Sequence, residues 1–92
     1  MQLRGWQHLL NLCQKAEDEK LLSELFDLLL TPEEKKSLEM RCLIIKALLD
    51  QKNPQREIAE NLKVSIAKIT RGSNELKRIS PQLKAYLEMI LL

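Results

Sequence analysis

Histidine occurs once in this 92-residue chain, cysteine and glycine twice each and proline three times. The lone His8 lies among core-forming residues without a Ser or Cys partner, so nucleophilic catalysis has no constellation to work with, and a satisfied structural or surface histidine is expected. Cys13 and Cys42 are 29 residues apart without a Cys/His cluster, which argues against zinc. Both sit among apolar residues on expected helices, where buried, reduced thiols are the expected state. Gly5 and Gly72 cannot build a phosphate loop. No run of about 18 apolar residues exists to cross a membrane, and Arg4, His8, Asn11, Gln14 and Lys15 do not form a signal peptide. A cytoplasmic location is the resulting expectation.

What is present is helical. Hydrophobic residues make up 45 % of the chain, and the scarcity of Gly and Pro favours helices within one small domain. A monomer of this size buries only about two-thirds of its unfolded surface, so surplus apolar surface suggests a dimer.

Residues 3 to 17 place Trp6, Leu9, Leu10, Cys13 and Ala16 at helical spacing, and Glu17-Asp18-Glu19 suits a turn or the negative start of a second helix. Seven Leu and Phe residues between Leu21 and Leu30 make that helix apolar over much of its circumference. Thr31-Pro32-Glu33-Glu34 is a capping box with Pro at the first helical position; Glu33-Glu34 fits a helix start better than an acid/base pair. The long helix that follows, to about Asp50, carries Leu38, Cys42, Ile45 and Leu49 on one face and Met40, Leu43, Ile44, Ala47 and Leu48 on others. Such a helix must be buried on most sides, with a second subunit as the simplest cover. Pro54 restarts the chain, and Ser80-Pro81 caps a final helix with Leu83, Leu87, Ile90 and Leu91 on one face.

Residues 55 to 77 read as two short helices meeting at a sharp turn. Ile58, Ala59 and Leu62 share one face, Val64 follows at the turn, and Ile69 and Leu76 line the inner face of the second helix. Ala59 suits the helix crossing, where a small residue permits close approach. Ser65 is the expected N-cap. Lys63 takes the turn position that usually holds Gly, at about 1 kcal/mol if left-handed. Ile66, Ala67 and Thr70 then project outward near the helix N-terminus, the end that recognition helices turn toward base edges, while Gln55, Arg56, Lys68, Arg71 and Lys77 can reach phosphates or guanine edges. An ordinary helical hairpin with solvated charges has the same spacing. Charge separation favours DNA: residues 41–78 hold nine Lys/Arg against four acids, whereas the remainder has an acidic excess.

At Ile69-Thr70-Arg71-Gly72-Ser73-Asn74 the sequence closely resembles the tryptophan-responsive trp repressor family, as it does through Leu30-Thr31-Pro32-Glu33-Glu34, Arg41, Gln55-Arg56-Glu57 and the segment from Ile66 to Lys77, across about residues 21–92. The resemblance implies an all-α, six-helix subunit in an interwoven homodimer. Residues 1–50 would form dimerisation helices, 54–78 a helix-turn-helix reading head, and 81–92 a final core helix. It also implies a repressor of tryptophan biosynthesis or uptake genes, with no enzymatic activity, that binds double-stranded operator DNA with L-tryptophan as corepressor. The family is itself among the proteins from which this docking geometry is known.

Carried over by position, Arg41 and Arg71 flank the indole, and Arg71 also meets the ligand carboxylate. Thr31 hydrogen-bonds near that carboxylate, the carbonyls of Leu28 and Leu30 receive the ammonium, and Gly72 leaves room beside the ring. Gln55, Arg56, Ser65, Ile66, Ala67, Lys68, Thr70, Arg71 and Lys77 form the implied DNA surface. Three departures stand out. Glu75 replaces a small hydroxyl residue near the ligand, Ala59 and Lys68 differ at two operator-facing positions, and the chain starts almost at its first helix, so the contribution of an N-terminal arm to DNA affinity is expected to be missing. Two other readings fit parts of the pattern: a helix-turn-helix module without an amino-acid ligand, as in a replication initiator, and a helical adaptor that binds proteins.

Overall fold

Three local stop-and-start signals divide the chain. Asp18 accepts from the Leu21 amide at 2.8 Å, Thr31 Oγ1 from Glu34 at 3.1 Å, and Ser80 Oγ from Leu83 at 3.1 Å. Each satisfies an amide that the first helical turn leaves without an internal acceptor. At Thr31 the box is reciprocal, since the Thr31 amide donates to Glu34 Oε1 at 2.9 Å. The computed structural model describes residues 3–92 and shows six helices and, among the described residues, no strand. They are α1 (Gly5–Lys15), α2 (Glu19–Leu29), α3 (Pro32–Asp50), α4 (Gln55–Leu62), α5 (Ile66–Leu76) and α6 (Pro81–Leu91). The first helix is shorter than the expected span of 3 to 17, because Ala16 is already extended.

Contacts group the chain into two units, Met1–Lys36 and Ser37–Leu92. In the first, Leu9, Cys13 and Ala16 form a half-buried stripe on α1, matched on α2 by Leu22, Leu25 and Phe26. No described residue of this unit is fully buried, and Trp6 is 72 % and Leu28 80 % exposed. Lys35 closes an ion pair on Asp27 at 2.9 Å.

The second unit holds the core. Ile44 of α3, Ile58 and Ala59 of α4 and Ile69 of α5 are buried, Ile69 completely, with Met40, Ala47, Leu48, Leu62 and Val64 packed around them. On α3, Met40, Ile44, Ala47 and Leu48 thus form the covered face. The stripe through Leu38 and Cys42 stays open, so Cys42 is exposed and Cys13 only half-buried, against the expectation of buried thiols. Both are free thiols. On α6, Leu87 and Leu91 are half-buried while Leu83 and Ile90 remain exposed.

The turn between α4 and α5 depends on Lys63, which is left-handed at φ 57°, ψ 44°. The amide of Val64 reaches back to the Ala59 carbonyl at 3.0 Å and that of Lys63 to Glu60 at 3.3 Å. This is a Schellman closure, completed by Val64 packing on the core that contains Ala59. A second left-handed residue, Gln51 at φ 54°, follows the end of α3; the sequence carries no glycine to announce it.

Helix α5 approaches α3 closely at Gly72. A Cβ added there would lie 3.1 Å from Ile44 Cγ2 and 3.3 Å from Leu48 Cδ1. The close approach to α3 therefore accounts for a mid-helix glycine that helix propensity alone disfavours by about 1 kcal/mol.

Two stability changes follow. Lys63→Gly relieves about 1–2 kcal/mol of left-handed strain against about 0.5–1 kcal/mol of glycine entropy. At fixed protein concentration its urea midpoint is expected to rise with the slope unchanged. Gly72→Val overfills the space beside Ile44 and Leu48, and the same titration should record a loss of about 1–3 kcal/mol.

Candidate nucleic-acid interface and adjoining ligand site

With Ile69 turned fully inward, α5 presents Ile66, Ala67, Lys68, Thr70 and Arg71 to solvent from its first two turns. Ser65 precedes it in extended conformation, but its hydroxyl makes no cap. This corrects the expected side-chain N-cap. The Ser65 carbonyl accepts from Lys68 at 3.1 Å, as the helix geometry requires, and no side chain takes up the amides of Ile66 and Ala67. Open amides at the positive end of a helix dipole suit an anion such as phosphate.

Gln55 and Thr70 meet directly: Thr70 Oγ1 donates to Gln55 Oε1 at 3.1 Å. That bond joins the first turn of α4 to the outer face of α5 and sets two of the expected DNA-facing side chains against each other. The spacing of 15 residues gave no local sign of it. Arg56 is exposed on the same first turn of α4.

The cations of this unit are largely unspent. Among the described residues, the side chains of Arg41, Arg56, Lys68, Arg71 and Lys77 enter no ion pair, whereas Lys52 pairs with Asp50 at 3.8 Å and Arg78 with Glu75 at 3.9 Å. Unpaired exposed cations can meet an external anion without first giving up a partner.

Ala59 is buried, 7 % exposed, in the core that joins the two helices. It does not face an operator. Directly after Ile58, it falls on the inner side of α4, and its small size serves the helix crossing. Lys68, the other departure, is exposed on α5.

Ala67, Thr70, Arg71, Glu75 and Lys77 line one shallow cleft together with Asn74 and Arg78. The last two were not singled out from sequence, although their spacing of three and four from Arg71 and Asn74 puts them on that face. Gly72 points the other way, toward Ile44 and Leu48. Arg41 lies three residues before Ile44 and seven before Leu48, one turn along the face of α3 that Gly72 approaches, and it is exposed.

Leu28, Leu30 and Thr31 belong to the first unit. The Leu30 amide donates to Phe26 at 2.8 Å and closes α2. The next helical donor to the Leu28 carbonyl would be residue 32, which is a proline without an N–H. The donor four residues beyond Leu30 is Glu34, whose amide is already committed to Thr31 Oγ1. Both carbonyls are left as open acceptors at the negative end of a helix, a setting that favours a cation. Thr31 Oγ1 accepts from Glu34 and retains its own hydrogen for donation.

Residues 4–91 match the Trp repressor protein family. The chain is 52 % identical over 84 residues to a protein of Chlamydia trachomatis serovar D named "Trp operon repressor homolog", covering 91 % of this chain and 89 % of the relative. Proteins of the same name in Chlamydia caviae and Pasteurella multocida are 46 % identical over 84 residues and 40 % identical over 86, covering 91 % and 94 % of this chain and 83 % and 84 % of those relatives. The likeness extends through α1, further toward the N-terminus than the motifs from residue 21 onward. Its six helices, its α4–α5 reading pair and this match over nearly its whole length make the chain a member of the Trp repressor family.

Proposed function

We propose that the protein is a DNA-binding transcriptional repressor of tryptophan biosynthesis or uptake genes, working as an interwoven homodimer with L-tryptophan as corepressor. The observation that carries this reading is the α4–α5 pair. Its buried Ile58, Ala59 and Ile69 fix an outer edge of Ile66, Ala67 and Thr70, flanked by cations without internal partners. Methyl groups on that edge suit close approach to base edges in a major groove, while Gln55, Arg56, Ser65, Lys68, Arg71 and Lys77 hold the phosphates.

The dimer follows from what one subunit leaves uncovered. The described residues of the first unit bury no side chain fully, and the stripe of α3 through Leu38 and Cys42 and much of α6 lie open. Patches of this kind on small helical subunits mark association surfaces, and intertwining α1, α2, α3 and α6 with a second copy would cover them.

Tryptophan would sit between the dimer core and the reading head, with both subunits contributing. Arg41 and Arg71 stack on the indole faces and Arg71 takes the carboxylate. The open carbonyls of Leu28 and Leu30 receive the ammonium, with Thr31 nearby as a donor. Ring insertion beside Gly72 sets the angle of α5, so ligand and operator favour one conformation and each tightens the other's binding. A helix-turn-helix module without a ligand has no need for unpaired Arg41 and Arg71 beside a closely packed glycine, and an adaptor has none for the open amides of α5.

Titration of DNA from upstream of tryptophan genes checks the central claim: affinity rises with L-tryptophan, and equal affinities with and without it would exclude a corepressor. Binding weakens steeply with salt, and Lys77→Ala, which removes one phosphate-directed cation per subunit, lowers the salt slope by about 1 for each. In analytical ultracentrifugation the expected species is twice the 10.7 kDa chain mass, and a monomer at micromolar concentration would argue against interweaving.

A further inference from the structure

Glu75 is the only acid on α5. It lies one turn beyond Arg71 in the same cleft, yet the two do not pair: Arg71 enters no ion pair, and the one partner of Glu75 is Arg78 at 3.9 Å, near the limit of such an interaction. The order of charges explains this. An acid four residues before a base closes well on a helix, whereas a base before an acid, as here, closes less well. Lys68, Arg71 and Glu75, at i, i+3 and i+7, form a strip of opposite charges beside Gly72, itself at i+4. With a rise of about 6 Å between residues four apart, an unpaired guanidinium and a loosely held carboxylate offer complementary ends to a small zwitterion.

We infer that Glu75 is a specificity residue that makes this protein select a ligand carrying an α-ammonium as well as a carboxylate. The inference rests on the tryptophan reading of the site. With the ligand carboxylate on Arg71, its ammonium exchanges Arg78 for itself at Glu75. An indole acid lacking the ammonium brings its carboxylate toward Glu75 with nothing to compensate, and like charges repel. A hydroxyl at this position would tolerate both ligands.

Calorimetry on the full chain without DNA, using L-tryptophan and indole-3-propionate, tests this. Wild type is expected to prefer L-tryptophan about 10-fold or more, the scale of one charge-assisted hydrogen bond. Glu75→Gln keeps the size and exposure of the side chain; it should weaken L-tryptophan, strengthen indole-3-propionate and bring the ratio to about 1. Arg78→Gln releases Glu75 and should tighten L-tryptophan binding. A ratio that survives Glu75→Gln overturns the clamp alone. Absence of heat with both ligands at several temperatures, with no operator response, overturns the tryptophan reading and the clamp with it.

Discussion

Everything the second unit does depends on the burial of Ile69 among Ile44, Ile58 and Ala59. That single side chain joins three helices. It fixes the rotation of α5 about its axis, and hence which residues look outward. It also draws α5 onto α3 until Gly72 has no room for a Cβ. The reading edge and the flank bearing Arg71 and Glu75 are therefore two consequences of one packing decision.

The periphery adjusts to that constraint. Lys63 accepts a left-handed conformation because the Schellman closure and the packing of Val64 require the chain to reverse there. Thr70 and Gln55 then tie the outer surfaces of the two helices where the core no longer reaches. Interaction with DNA thus falls on groups already braced, whereas the exposed cations keep the freedom that phosphate binding needs.

Much of this was legible in the sequence where the signal is local. The boxes at Thr31 and Ser80, the break at Pro54 and the inward Ile69 depend on residues within one or two turns of each other. Ser65 shows the limit: serine suits an N-cap, but its hydroxyl makes no cap here. Cys42 shows another. Periodicity tells which residues share a face of α3 but not which face α4 and α5 choose, and they chose the one with Ile44. Ala59 fitted both the crossing and the operator side until burial decided between them. Gln51 gave no sign, because a left-handed residue other than glycine has no compositional signature. The resemblance supplied Leu28 and Leu30, and only the hydrogen bonds around them explain why those carbonyls remain open.

Pro32 acts on both sides of itself. As the first residue of α3 it opens a helix, and for want of one hydrogen it also prevents the carbonyl of Leu28 from being consumed by the backbone. Any other residue there would bring a donor that lets α2 and α3 share a hydrogen bond, and the two could begin to merge into one rod. A helix junction and a cation receptor thus have a common genetic address, so drift at this codon is restrained by two unrelated requirements.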